Sequence, residues 1–190
     1  MDLAGWDERH RAELNSQAPR ESVPCPLLAA TASRLQPARA LDLASGSGRN
    51  TLWLAQHGWK VTAVDGSPAA IETLLAGAKR LGVAVDARVA DLEKGEFTIA
   101  PACWELIATC YYLQSDLFAP AKRGVVPGGV MVAIALMVEP GRENSPYRVK
   151  PGELRLSFDG WEVLHDREGA DGSRQAVAEI VARRPNIDTI

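Results

Sequence analysis

LDLASGSGRN, residues 41–50, decides the fold. Its opening, with Ala40 in front (ALDLA, 40–44), is a short apolar run of strand character, and it stops at SGSG. Gly46 and Gly48 allow the backbone to turn sharply there and to come close to a ligand. A helix follows to about His57, where Gly58 suits its C-terminal cap. Such a helix aims its first amides and its positive dipole end at whatever lies beyond the strand. Strand, glycine turn and helix in that order predict an open α/β sheet whose ligand sits outside the carboxyl ends of its strands.

The same alternation runs on downstream. Lys60–Asp65 (KVTAVD) is a second strand, and Ser67-Pro68 reads as an N-cap with proline in the first helical position. Ile71, Leu74, Leu75, Ala78 and Leu81 recur at helical spacing until Gly82. Val83–Val89 is a third strand leading into Ala90-Asp91-Leu92, and Trp104–Cys110 is a fourth. A helix is expected near Leu117–Arg123, with its start blurred by Pro120. The turn Pro127-Gly128-Gly129 feeds Val130–Val138, a continuous apolar run expected of a strand buried on both faces. A polar loop covers Glu139–Lys150 and a short helix Pro151–Phe158. Trp161–Arg167 and Arg174–Ala182, joined by GADGS, read as a hairpin and are therefore antiparallel. Upstream, Trp6 and His10 lie on a short helix; Pro24 and Pro26 open another, with Leu27, Leu28, Thr31 and Leu35 on one face, and Pro37 closes it. The expected object is a Rossmann-like α/β three-layer sandwich: a mostly parallel seven-stranded sheet with an antiparallel C-terminal edge hairpin. One domain is expected over 1–190, with 1–37 as an N-terminal helical cap segment and 38–190 as the core.

Composition narrows the function. A net charge of -3 offers no basic face for nucleic acid. Cys25, Cys103 and Cys110 form no CxxC pair, which argues against a disulfide scaffold or structural zinc, and no metal site is expected. No apolar run reaches the roughly 18 residues that a membrane span needs. The opening MDLAGWDERHRAEL has no signal-peptide core, so a cytoplasmic protein is expected. Oligomeric state is not legible.

Three successive strand ends carry ligand-suited residues: the SGSG turn, Asp65 and Asp91. Asp65 ends the second strand, where a carboxylate can accept both hydroxyls of a ribose. Asp91 follows the third, where it can receive an adenine amino group. Taken singly, each is as readily a cap or turn residue. The dinucleotide fingerprint G-x-G-x-x-G is incomplete, because its third glycine is replaced by Thr51. Asp42, inside the first strand, suits a ligand carrying an ammonium group and would repel a pyrophosphate; its other reading is a satisfied structural carboxylate.

The run ALDLASGSGRNTLWLAQHGWKVTAVDGSP closely resembles the first motifs of class I S-adenosyl-L-methionine (SAM)-dependent methyltransferases. It is most similar to a small bacterial branch with TehB-like tellurite-resistance and thiopurine-methyltransferase-like members. The resemblance continues through VADLE (89–93), PGG (127–129) and YRVKPGEL (147–154). It implies that SAM is the cofactor, with Asp42 and the Gly46–Gly48 turn on its methionine part and Asp65 on its ribose. It implies that Asp91 and Leu92 flank the adenine and that the backbone around Cys110 lines the far side. Ala44, Asn50, Gly66, Ser67 and Ala90, from the same motifs, complete the implied cofactor set. CYYLQSDLFAP (110–120), which shapes the acceptor pocket in such proteins, is shorter than in many relatives.

Methyl transfer from a sulfonium needs orientation and a dry pocket more than acid–base help. No general base stands out, and no catalytic residue is assigned. His57 at a helix end and His165 in an edge strand read as structural or solvated; His10, in the cap segment, is the histidine most open to touching the site. Tyr111 and Tyr112 follow the fourth strand, where the acceptor belongs, and Arg148 and Lys150 are placed to attract an anion. The expected acceptor is a small molecule with a soft or anionic nucleophile, such as a thiol or a chalcogen oxyanion. The alternatives are a non-catalytic SAM-binding sensor or partner module and an NAD(P)-dependent oxidoreductase.

Overall fold

Leu41 and Leu43 are fully buried in β1 (Arg39–Leu43), and the chain leaves that strand through Ala44, whose backbone is left-handed at φ 54°. The computed structural model describes residues 3–15, 23–139, 145–170 and 175–186. The expected loop over 139–150, the GADGS turn and the start of the last strand at Arg174 fall partly outside those residues.

The remaining strands are β2 (Lys60–Asp65), β3 (Asp86–Val89), β4 (Trp104–Cys110), β5 (Val125–Leu136), β6 (Glu162–Ala170) and β7 (Ala176–Arg183). They form one seven-stranded sheet in the order β3-β2-β1-β4-β5-β7-β6. β1 with β2, β2 with β3, and β4 with β5 pair in parallel, whereas β7 runs antiparallel to both β5 and β6. This is the mostly parallel α/β sheet with an antiparallel C-terminal hairpin that the sequence predicts. The chain falls into two compact units, 1–98 and 99–190.

The first unit holds β1–β3 and four helices: α1 (Leu3–Asn15), α2 (Pro26–Ala32), α3 (Arg49–Gln56) and α4 (Pro68–Leu81). Helix α4 begins where expected, because the Ser67 hydroxyl accepts from the Ala70 amide at 3.1 Å, and ends on left-handed Gly82. Its apolar face, Ile71, Leu74 and Ala78, packs with Leu52 of α3 and Ala63 of β2. β3 is shorter than the predicted Val83–Val89. Its ladder starts at Asp86 opposite Thr62, while Val83 and Val85 pack against the α4 cluster instead.

In the second unit, α5 (Phe118–Gly124) follows a single 3-10 turn, Ser115–Leu117, and α6 is Glu153–Leu156. Pro120 sits in the first turn of α5, where a missing N–H costs no helical hydrogen bond. The predicted Pro127-Gly128-Gly129 turn lies inside β5 rather than before it. Val125 pairs with Trp104 and Val130 with Leu106, so β5 carries extra residues in a bulge. Arg184 braces that bulge: Gly128 donates to its carbonyl at 3.0 Å, its own amide donates to Gly129 at 2.9 Å, and its guanidinium donates to the Val125 carbonyl. Beyond the bulge, Val130 to Ala135 are buried throughout, as a strand covered on both faces requires.

Candidate active site

The glycine turn and the second strand end form one constellation. Gly46, left-handed at φ 53°, donates its amide to Oδ2 of Asp65 at 2.8 Å, and the Ser67 amide donates to Oδ1 at 2.8 Å. Asp65 remains partly exposed. Ser45, which sequence reasoning passed over, carries a buried hydroxyl with no hydrogen-bond partner. An orphaned hydroxyl in a turn of this kind fits a site awaiting a polar ligand.

The other implied cofactor residues are placed nearby but are largely spent on the fold. Asp42 is buried and accepts the Thr51 hydroxyl at 2.6 Å. Burial pushes its pKa up to about 6; the Thr51 hydrogen bond opposes this, and the charge of Asp65 adds to it. Thr51 thus fills the third-glycine position of a dinucleotide fingerprint with a fully buried hydroxyl committed to Asp42. Asn50 is buried and accepts the Cys25 amide at 2.9 Å, holding the start of α2. Asp91 accepts from the amides of Glu93 and Lys94 at 3.0 and 3.3 Å and from Lys94 Nζ at 3.0 Å. The Lys94 contact, ahead of the two amides, holds the Asp91 carboxyl below the ordinary range. Ala90 donates to the Asp65 carbonyl at 3.0 Å, and Leu92 is buried.

Gly48 also serves packing: at φ 84°, a Cβ there would lie 2.2 Å from Leu74 Cδ1, so its bare face makes room for α4. The bare faces of Gly46 and Gly66 meet α1. A Cβ on Gly46 would be 3.6 Å from His10 Cε1, and one on Gly66 would be 2.6 Å from Leu3 Cδ1. His10 Nδ1 lies 3.2 Å from the Ser47 hydroxyl. Asp7, also unforeseen, accepts the Ser67 hydroxyl at 2.6 Å and the Ala69 amide at 3.1 Å.

In the second unit, Cys110 ends β4 and Tyr111 follows in a left-handed conformation, φ 63°, its amide donating to the Ile134 carbonyl at 2.7 Å. A bulky residue held there stores strain of a kind that collects at functional sites. The Thr109 hydroxyl donates to the Tyr112 carbonyl at 3.1 Å, and the Tyr112 hydroxyl to Gln114 at 2.8 Å. Arg148 turns inward, donating to the Met137 carbonyl at 2.6 Å and pairing with Glu139 at 3.3 Å, whereas Lys150 is exposed. His57 stacks on Trp53 and contacts its carbonyl at 2.7 Å; His165 pairs with Glu179 at 3.1 Å. Among the described residues, no group of three or more His, Cys, Asp or Glu is arranged to hold a metal ion, and no helix is long and apolar enough to cross a membrane.

The family described as "Methyltransferase domain" matches residues 40–129. A 71-residue stretch is 48% identical to 23S rRNA (uracil(1939)-C(5))-methyltransferase RlmD of Halomonas elongata, covering 37% of this chain and 14% of that protein. Over 176 residues the chain is 29% identical to Hemagglutinin 1 of Eikenella corrodens, covering 86% and 54%. The chain therefore spans about half, or far less, of the length of these curated relatives. Among solved structures it is similar to TehB from Haemophilus influenzae, with a TM-score of 0.74 and 18% identity, covering 94% of this chain and 67% of that one. It is also similar to a protein solved in work on conversion of a disulfide bond into a thioacetal group during echinomycin biosynthesis, with a TM-score of 0.72, 20% identity and coverage of 98% and 93%.

Proposed function

We propose that this chain, TehB-like in fold, is a class I SAM-dependent methyltransferase with SAM as its cofactor, and that it methylates a small-molecule acceptor whose nucleophile is a thiol or a chalcogen oxyanion. The observation that carries the reading is the 2.8 Å bond from Gly46 to Asp65, which joins glycine turn and ribose-suited carboxylate in one rigid group. SAM would supply an activated methyl group there, and the chain's own residues would hold the cofactor, orient the acceptor in line with that methyl and exclude water. In this reading Asp65 takes the ribose hydroxyls, Gly46 and Gly66 allow the cofactor against the backbone, and Ala90 and Leu92 wall the adenine. Asp42, Asn50 and Gly48 act behind them as scaffold.

Two of the three histidines support this acceptor class, while His10 lies against the Ser47 hydroxyl at the turn. His57 and His165 are engaged away from the glycine turn, one on Trp53 and one on Glu179. A thiolate or an oxyanion brings its own negative charge and asks for no general base. The thioacetal-forming relative, which works on sulfur, supports the same class. Cys110, Tyr111 and Tyr112 are proposed for the acceptor side. Arg148, committed to Met137 and Glu139, is kept only as a brace for its loop. That Cys25, Cys103 and Cys110 form no disulfide fits a reducing cytoplasm.

The test is labelled SAM offered with a panel of thiols, chalcogen oxyanions and an RNA oligonucleotide, alongside thermal shifts with SAM and with NADH. Label transfer to a thiol or oxyanion, with a shift for SAM alone, is the expected result. Transfer to RNA alone would overturn the acceptor class. A shift with SAM but no transfer to any acceptor would favour the non-catalytic module.

A further inference from the structure

Asp91 stands just past β3, and its neighbour Ala90 donates to the Asp65 carbonyl at 3.0 Å, so the two aspartates lie at the same end of the sheet. Glu96 ties the Asp91 backbone from both sides. The Asp91 amide donates to Glu96 Oε2 at 2.9 Å, and the Glu96 amide donates to the Asp91 carbonyl at 3.1 Å. The carboxylate itself is divided. Oδ1 accepts the amides of Glu93 and Lys94, at 3.0 and 3.3 Å, and so shapes the turn. Oδ2 meets the ammonium of Lys94 at 3.0 Å.

The two oxygens differ in what they can exchange. The donors on Oδ1 are backbone amides fixed by the turn. The donor on Oδ2 is a side chain 71% exposed, against 14% for that of Asp91. An exposed ion pair is weak, and another donor can take its place. A base lying against Ala90 and Leu92 meets the carboxylate between them, and the exocyclic group of the base decides the encounter. An amino group is a donor and needs Oδ2, which Lys94 already uses. A carbonyl in the same place is repelled by Oδ2 and attracted by the ammonium.

We propose that Lys94 sets the affinity and the base preference of the cofactor site, by competing with the purine amino group for Oδ2 of Asp91. The inference rests on the reading that SAM binds with its ribose on Asp65 and its adenine beside Ala90 and Leu92. Lys94 lowers the affinity for adenine and softens discrimination against a purine that carries a carbonyl instead. Its removal does the reverse.

The test is calorimetry with SAM and with its deaminated analogue, in which a carbonyl replaces the adenine amino group. It compares the wild-type chain with Lys94→Met, Asp91→Asn and the double variant. Lys94→Met should bind SAM about two- to fivefold more tightly, the range open to an exposed ion pair, and the analogue more weakly. Asp91→Asn keeps an oxygen for the two backbone amides and replaces Oδ2 with a donor, so it should weaken SAM binding. In that background Lys94→Met should add nothing, because the contested acceptor is gone. Were Lys94 only repelling a cationic cofactor, its removal would tighten SAM binding in both backgrounds. Equal tightening in both backgrounds, equal tightening for SAM and the analogue, or unchanged SAM affinity in Lys94→Met overturns the inference. Failure of the wild-type chain to bind SAM would instead remove the cofactor reading beneath it.

Discussion

The amide of Gly46 and the carboxylate of Asp65, nineteen residues apart, are joined by a 2.8 Å hydrogen bond. The bond ties the end of β2 to the turn that leaves β1. Asp65 is consequently both a proposed ligand and a strut, and its replacement should show in both properties.

Asp65→Ala is expected to weaken SAM binding at least about tenfold, because each charge-assisted hydrogen bond lost is worth about 1.5–3 kcal/mol. Calorimetry gives the affinity, and circular dichroism checks that the sheet persists. Wild-type affinity in the variant would refute the ribose assignment.

Gly46 and Gly48 should fail in different ways. Gly48→Ala sets a Cβ 2.2 Å from Leu74 Cδ1 in a left-handed backbone, a clash plus conformational strain worth about 2–4 kcal/mol together. Gly46→Ala meets only His10, at 3.6 Å, and should cost about 1–2 kcal/mol of strain. Urea denaturation separates them, and Leu74→Ala should relieve part of the Gly48→Ala penalty, whereas equal losses at both glycines would contradict the packing role.

Asp42 carries a pH signature. Its native pKa is raised to about 6 from 3.8, so between those values the folded state holds a proton that the unfolded chain releases. Stability therefore falls as pH rises through this window, by about 3 kcal/mol when complete. Asp42→Asn, which can still accept from Thr51, should be more stable than wild type above pH 6 and should lose that advantage below pH 4. Chemical denaturation at pH 4 and 7.5 measures it, and an advantage independent of pH would point to another cause.

If the acceptor supplies its own nucleophilic charge, Tyr111→Phe and Tyr112→Phe should each lower the methylation rate less than tenfold, where loss of a general base typically costs about 10²–10⁴-fold. Profiles of rate against pH for two thiols of different acidity should be displaced with the thiol. A profile that stays fixed would show an enzymic base, with His10 the first residue to test.

Much of the fold was readable because its signals are local. β2 and β4 occupy the predicted residues, and α4 lies between its Ser67 cap and Gly82. Misreadings arose where a local pattern had a distant cause. Val83 and Val85 look like strand residues because they are apolar, yet they serve the α4 cluster. Pro127-Gly128-Gly129 looks like a turn, but Arg184 holds it within β5. The candidate site's residue types can be read from the sequence, but the hydrogen bonds those residues make cannot. Asn50 and Asp91 stand at motif positions with their oxygens already engaged, which depends on Cys25 and Lys94 arriving in space. Asp7 gave no signal beyond an i,i+4 partner in Arg11, because its role lies across sixty residues of chain.

The order β5-β7-β6 places β7 between two strands made before it. During synthesis β6 leaves the ribosome with no ladder to join, since its partner is β7, and the edge of β5 stays open meanwhile. At about 5–20 residues per second, that edge is exposed for several seconds on every nascent chain. An apolar strand with unpaired backbone is the kind of surface that captures other chains. Yield in the cell should thus respond to how fast the codons between β5 and the end of β7 are read, and to chaperone supply, more than the folded protein's stability suggests.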